Sequence, residues 1–204
     1  MLNYLFENLR KIHGVQCLAF VDDIVVFSTH QNIDIARANI DQTMIYLEKW
    51  CDENQMTVNT DKTVYQLFTL STKQHLTTVK YKNHDLCRQD CFRYLGITLD
   101  NKLSWRRHAD ENAKKGASRL SLLKRLSGVM WGSSPETLAT TYKTYVRPVL
   151  DYGGGLLATA SDCCGNKVDR VQNKALRLIN SAACSTPITA LEIQTGIEPM
   201  KVRR

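Results

Sequence analysis

Two adjacent aspartates between two short apolar runs are the feature that most constrains the fold of this chain. The run Cys17–Val21 precedes Asp22 and Asp23, and the run Ile24–Phe27 follows them. Both runs are rich in the β-branched and aromatic residues that favour strands, and aspartate is common in tight turns. We therefore predict a β-hairpin with the two aspartates at or near its tip. Because both faces of these strands are apolar, we expect the hairpin to lie in a covered sheet.

The residues after this hairpin predict a helix and two further β elements. Apolar residues recur at intervals of three or four from residue 33 to residue 51, and Asn32 or Asp34 can cap the resulting helix. A strand is predicted over Val64–Leu70. A second hairpin is predicted over residues 92–101, with a break at its glycine and Asp-Asn as turn residues.

After residue 105 the pattern becomes helical. Helices are predicted over His108–Leu126, over Pro135–Arg147 with Ser134 as N-cap, and over Lys167–Ala182. Pro148 should kink or stop the second of these helices, and residues 153–155, which are all glycine, predict a flexible break. Trp105 and Trp131 are expected in the core. The fold class is therefore α+β, with one domain over residues 1–101 and an all-helical module over residues 102–204.

Charge is distributed unevenly between these two parts. Residues 1–101 carry 10 Lys or Arg against 12 Asp or Glu, whereas residues 102–183 carry 14 against 6. A basic helical half suggests a part that binds a polyanion such as nucleic acid, although a solvated basic surface would look the same.

Membrane and secreted classes are not expected. No apolar run is long enough to span a membrane, and the N-terminal residues do not have the pattern of a signal peptide. Seven cysteines, an odd number, favour reduced thiols in an intracellular protein of the nucleus or cytoplasm.

The aspartate pair suggests a cation site. Two like charges about 4 Å apart repel by about 4 kcal/mol at an effective dielectric constant near 20, and a bound cation removes this cost. Carboxylate oxygens suit Mg²⁺ or Mn²⁺, and a pair of such ions is a common means of phosphoryl and nucleotidyl transfer. The alternative is an ordinary solvated turn, since Asp-Asp is frequent in turns.

Several segments in order resemble the reverse transcriptases of non-LTR retrotransposons, particularly the jockey-like elements. The segment "AFVDDIVVF" is similar to the metal-binding hairpin of the polymerase palm, and "FRYLGITLDNKLSWRRH" is similar to a later block of these enzymes. "LEKWCDENQMTVNTDKT", "YVRPVLDYG" and "VDRVQNKALRLI" also have counterparts there. The similar region extends from about Ala19 to Asn180. The resemblance implies a partial palm over residues 1–101 and a thumb-like helical module over residues 102–204.

The resemblance also implies roles for individual residues. Asp22 and Asp23 would hold the two catalytic Mg²⁺ or Mn²⁺ ions, and Lys62 would protonate the leaving pyrophosphate. The segment Tyr94, Leu95 and Gly96 would form the primer grip. The thumb would contact the phosphates of an RNA template and DNA primer, and its candidates are Lys114, Lys115, Arg119, Lys124 and Arg125. Deoxynucleoside triphosphates would be the second substrate. On their own, Lys62 could be an exposed turn lysine and Tyr94–Gly96 an ordinary strand turn.

The sequence also departs from the polymerase pattern. A palm polymerase needs a further aspartate on an earlier strand, but the 21 residues before Asp22 include no aspartate. We therefore expect this chain to be the later part of a reverse transcriptase and to be inactive in nucleotidyl transfer alone. A non-catalytic nucleic-acid-binding module is the alternative, and an RNA-directed RNA polymerase is disfavoured by the downstream blocks.

Overall fold

The computed structural model describes residues 2–128 and 132–204, and Trp131 lies outside them. The chain divides into two compact units, the first ending at Asp90 and the second beginning at Cys91. Helices and small sheets occur together, which agrees with the α+β class. The division into palm and thumb remains a proposal.

The first unit contains the hairpin that carries the aspartates. Its strands are β1 (Val15–Phe20) and β2 (Asp23–Ser28), which pair antiparallel with Phe20 opposite Asp23. The helices are α1 (Leu2–Leu9) and α2 (Ile33–Glu53). Short strands complete the unit: β3 (Val64–Tyr65) pairs parallel with β6 (Cys87–Arg88), and β4 (Lys80–Tyr81) pairs antiparallel with β5 (His84–Asp85).

The core of the first unit holds the hairpin against two helices. Leu5 and Leu9 of α1, Cys17 of β1, and Trp50 and Cys51 of α2 are all buried in one cluster. The α2 helix matches its prediction, because the Asn32 side chain accepts a hydrogen bond from the Asp34 N–H and caps the helix. The predicted strand over Val64–Leu70 is much shorter than expected. Only Val64 and Tyr65 find a pairing partner, in β6.

The second unit begins with a hairpin and continues as helices. Strands β7 (Cys91–Tyr94) and β8 (Ile97–Asp100) pair antiparallel, as predicted. The helices are α3 (Arg106–Leu126), α4 (Pro135–Thr141), α5 (Arg147–Asp151), α6 (Gly154–Leu157), α7 (Asp162–Ile179) and α8 (Ile188–Thr195), followed by a 3₁₀ turn (Met200–Arg203). Because β7 and β8 belong to this compact unit, it begins before the expected boundary near residue 101.

Two sequence expectations for the helical region are met only in part. Of the two outcomes expected at Pro148, a kink or a stop, the stop does not occur. A π-helical segment over Tyr142–Val146 links α4 to α5, and the Arg147 N–H bonds the Tyr142 carbonyl, so the chain stays helical through the proline. The glycines at 153–155 do not form a simple break, because Gly153 is left-handed at φ 70° and the next two glycines begin α6.

Close helix packing fixes the core of the second unit. Gly116 of α3 lies so near α5 that a Cβ placed there would be 2.3 Å from a methyl carbon of Leu150. Leu150 and Val146 are fully buried in the same cluster as Ala175 and Leu176 of α7. Trp105 packs partly buried against this cluster, in agreement with the core role expected for it.

Candidate functional site

The aspartate pair lies at a strained two-residue turn. Val21 and Asp22 connect the strands, and Asp23 is the first residue of β2. Val21 has φ 57°, a left-handed conformation that β-branched residues rarely adopt. Such a conformation costs about 1–3 kcal/mol and is found most often at functional sites. The turn is therefore held in place by the flanking strands, and it fixes where the two carboxylates stand.

Both carboxylates are directed to solvent. Asp22 and Asp23 are exposed, and neither carboxylate has a hydrogen bond or ion pair to a described residue. Their oxygens are hard donors of the kind that Mg²⁺ and Mn²⁺ prefer. Among the described residues, however, no group of three or more His, Cys, Asp or Glu side chains could hold a metal ion. The pair therefore fits only part of the ligand set of a metal site.

The hairpin has one covered face and one uncovered face. Val15 and Cys17 are buried, with Ile24 and Val26 packed on the same core. On the other face Leu18 and Phe20 are each 57% exposed. The expectation of a sheet covered on both sides is thus met on one face only. Within the part of the chain that the structure describes, α1 and α2 cover only the face that carries Cys17 and Val26.

Lys62 lies in an exposed turn of the first unit. Its backbone N–H donates to the Asn59 side chain (3.1 Å), and the Thr63 hydroxyl donates to the Asn59 carbonyl (2.7 Å). These bonds fix the backbone of the turn and leave the Lys62 ammonium without a described partner. No contact joins this lysine to Asp22 or Asp23 in the described residues, so its predicted role stays a prediction.

The turn at Tyr94, Leu95 and Gly96 is held by a tyrosine from the helical region. Leu95 (φ 45°) and Gly96 (φ 81°) form the two-residue turn between β7 and β8. The Tyr152 hydroxyl donates to the Leu95 carbonyl at 2.5 Å. A Cβ on Gly96 would lie 3.0 Å from the Tyr152 ring, so the glycine permits this close approach.

A buried histidine joins the same hairpin to Tyr152. The Thr98 N–H donates to Nδ1 of His108 (3.4 Å), so Nε2 carries the ring proton and donates to the Tyr152 carbonyl (3.1 Å). Asn112 donates to that carbonyl at 2.8 Å. We name His108, Asn112 and Tyr152 the latch. His108 is the last residue of the block "FRYLGITLDNKLSWRRH", and nothing in that pattern indicates its contact with Tyr152.

The basic candidates lie on α3, away from its buried side. Lys114, Lys115, Lys124 and Arg125 are exposed and have no ion pair to a described residue. Arg119 differs, because its guanidinium lies 4.8 Å from the centre of the Tyr145 ring and donates to the Tyr145 carbonyl (2.6 Å). The first four side chains are therefore free to meet phosphates, whereas Arg119 already has a protein partner.

Asp100 organises the loop that leads into α3. Its carboxylate accepts bonds from the Lys102 and Ser104 N–H groups, the Ser104 hydroxyl and the Trp105 N–H, at 3.0–3.1 Å. Leu103 (φ 49°) and Trp105 (φ 59°) are both left-handed in this loop. Burial raises the pKa of Asp100, but the hydrogen bonds from Ser104, Lys102 and Trp105 outweigh it and hold the pKa below its usual value.

We expect Asp100→Asn to lower the free energy of unfolding by about 1–2 kcal/mol at pH 7, because charge-assisted bonds are lost. The folded pKa is lowered, so this contribution is complete above the ordinary value of about 3.9 and is lost as the pH falls through the folded pKa. Urea unfolding measured from pH 7 to about pH 3 should show the two proteins converging below about pH 4. A difference that stays constant across this range would contradict the role of the carboxylate.

Comparison with known proteins identifies the part of the chain that carries the aspartate hairpin. The family model described as "Reverse transcriptase (RNA-dependent DNA polymerase)" matches residues 1–99. This segment belongs to the reverse transcriptase family. The match includes the aspartate turn, Lys62 and the Tyr94–Gly96 turn.

Curated relatives extend the similarity of this reverse transcriptase segment into the helical region. The chain is 26% identical over 161 residues to "Probable RNA-directed DNA polymerase from transposon BS" of Drosophila melanogaster, covering 78% of the chain and 18% of that protein. It is 24% identical over 163 residues to the polymerase from mobile element jockey of the same species, covering 80% of the chain and 18% of the relative.

The alignment with a third relative covers almost the whole chain. This is the "Putative 115 kDa protein in type-1 retrotransposable element R1DM", which is 24% identical over 202 residues, or 98% of the chain. The chain spans 18–20% of the length of these relatives. It is therefore jockey-like in sequence and corresponds to a part of each of these longer relatives.

Two further findings concern solved structures and membrane spans. No solved structure gives a significant match to the chain. Among the described helices, none is long and apolar enough to cross a membrane.

Proposed function

We propose that this chain is part of an RNA-directed DNA polymerase of a non-LTR retrotransposon. The observation that carries the proposal is the aspartate turn, which presents two unpaired carboxylates to solvent within the reverse transcriptase segment. In the longer polypeptide, Asp22 and Asp23 would supply part of the ligand set for divalent metal ions that support nucleotidyl transfer. Lys62 would act on the leaving pyrophosphate, and Tyr94–Gly96 would contact the primer strand.

The uncovered face of the hairpin supports this placement. Leu18 and Phe20 are more than half exposed on a two-stranded sheet, and Val25 stands opposite Leu18. A two-stranded sheet is marginally stable in water, and its apolar face gains from further cover. In the proposed polymerase, additional palm structure covers this face and brings a further carboxylate to the aspartate pair.

The helical region is proposed to bind the template–primer duplex as a thumb. Its exposed lysines and arginines would contact phosphates of an RNA template and a DNA primer, with no sequence preference. Alone, the 204-residue chain is proposed to keep this binding and to lack polymerisation. Binding is therefore the part of the function that can be measured directly on this chain.

We expect the chain to bind an RNA–DNA duplex with an affinity that falls steeply with salt. Each phosphate contact contributes about −0.9 to the slope of log affinity against log salt on duplex DNA. Lys114→Gln with Lys115→Gln should make this slope shallower by roughly 1–2, because each lysine neutralises a phosphate. Fluorescence anisotropy with a labelled duplex across a KCl series measures both quantities.

A matched variant controls for lost charge alone. Lys49→Gln with Lys73→Gln removes two positive charges from exposed positions of the first unit. We expect this variant to keep nearly the wild-type slope. Binding that is independent of salt, or equal slopes for the two double variants, would contradict the thumb assignment.

A further inference from the structure

A basic cleft lies in the second unit beside the latch, with which it shares Tyr152. It has a volume of about 570 Å³ and is lined by Lys143, Arg147, Asp151 and Arg203, with Tyr152 at one side. The four charged residues come from the π-helical segment, from α5 and from the 3₁₀ turn. Three cations face one carboxylate, so the lining carries an excess of two positive charges.

Arg147 is a fixed part of this cleft. Its side chain is only 10% exposed, and Nη2 donates to the Glu198 carbonyl at 3.3 Å. Its Nε lies 3.7 Å from Oδ2 of Asp151 and makes no hydrogen bond to a described residue. Because Nε is buried and Nη2 is already bonded, Nη1 is the nitrogen of this cleft-lining guanidinium that is left to donate to a ligand.

A buried polar chain keeps the Glu198 carbonyl in position. The Tyr142 hydroxyl donates to Oε1 of Gln172 (2.8 Å), and Nε2 of Gln172 donates to the Glu198 carbonyl (3.0 Å). Tyr142 and Gln172 are both almost fully buried. Because that carbonyl accepts from both Gln172 and Arg147, the core of the unit sets the direction of the guanidinium.

Asp151 aligns the cations and does not neutralise them. Its Oδ2 is 3.0 Å from Nε of Arg203 as well as close to Arg147, while its buried Oδ1 has no described partner. Lys143 is exposed and has no ion pair to a described residue. Asp151 offsets only one of the three positive charges, and a guanidinium together with an ammonium suits phosphate oxygens.

We propose that this cleft binds a phosphate group of a nucleic-acid backbone. The proposal rests on the proposed binding of a nucleic-acid duplex, and it adds a contact formed by residues outside α3. Arg147 is the donor that the core holds in place. Lys143 and Arg203 contact the same phosphate from the rim of the cleft. The site contacts no base, so its contribution to the binding affinity is the same for every nucleic-acid sequence.

The test uses the exposed rim, because replacing Arg147 would disturb the core. Lys143→Gln with Arg203→Gln should weaken binding of a labelled RNA–DNA duplex by about five- to tenfold, since charge-assisted bonds to one phosphate are lost. The salt slope should become shallower by about 0.9. Lys201→Gln is the control, because it removes a charge from the same 3₁₀ turn outside the cleft lining.

The outcomes separate the cleft from the proposed function. If Lys143→Gln with Arg203→Gln matches Lys201→Gln while Lys114→Gln with Lys115→Gln loses affinity, the cleft proposal is wrong and the thumb assignment stands. If the wild-type chain does not bind the duplex, both fail. In an NMR titration, pyrophosphate could shift the signals of the cleft residues. If it does so while the cleft variant binds the duplex like the wild type, the assignment of the cleft to a nucleic-acid backbone is also wrong. Lys143→Gln alone, at an exposed residue without described partners, covers the case in which the double variant does not fold.

Discussion

Gly153→Ala is expected to lower the free energy of unfolding of the chain by about 2–4 kcal/mol. Gly153 has φ 70°, where an alanine costs about 1–2 kcal/mol. The new Cβ would also lie 2.6 Å from Nε2 of His108. His108 is fully buried, so it can move only by losing its bonds to Thr98 and Tyr152, and each of these is worth about 1 kcal/mol.

Urea unfolding followed by circular dichroism measures this loss, and Gly155→Ala supplies the control. A Cβ at Gly155 has no atom within 4 Å, and Gly155 does not have a left-handed backbone. We therefore expect that variant to unfold within about 0.5 kcal/mol of the wild type. Equal effects of the two substitutions would show that the latch does not stabilise the unit.

The features that sequence analysis predicted well depend on local signals. Asn32 and Ser134 cap their helices as expected, because a cap is decided by a side chain and a backbone N–H two or three residues away. The two hairpins also appear where apolar runs flank turn residues. A turn at the aspartates could thus be predicted from the short stretch around them.

The features that sequence analysis missed depend on contacts between distant residues. His108 and Tyr152 are 44 positions apart in the chain, and no pattern near either residue indicates that they meet. The cleft has the same origin, since Arg203 reaches Asp151 from the end of the chain. The continuation of the helix through Pro148 could not be predicted, because a π-helical segment, which shifts the hydrogen-bond register, has no simple sequence signal.

We expect the 204-residue chain to bind an RNA–DNA primer–template and to leave the primer unextended. The exposed lysines of α3 are free to meet the duplex. The aspartate pair, by contrast, has no third metal-ligating side chain within the described residues, and a two-metal transfer needs more ligands than two adjacent carboxylates. Without properly held metal ions the rate of nucleotidyl transfer falls by orders of magnitude, so we expect no extended primer from this chain.

Asp22→Asn is the variant that makes this expectation decisive. The residue is exposed at the turn and has no described partner, so the substitution should leave folding and duplex binding unchanged. Duplex binding measured on the same samples shows whether each protein is competent to hold the substrate. An unextended primer then reports on the chemistry and not on a loss of binding.

A primer-extension assay on an RNA template, with deoxynucleoside triphosphates and Mg²⁺ or Mn²⁺, therefore tests most directly whether this chain holds only part of a polymerase site. We expect that the wild-type chain and Asp22→Asn both bind the duplex and that neither extends the primer. Extension by the wild type that disappears in Asp22→Asn would show that this chain holds a complete polymerase site.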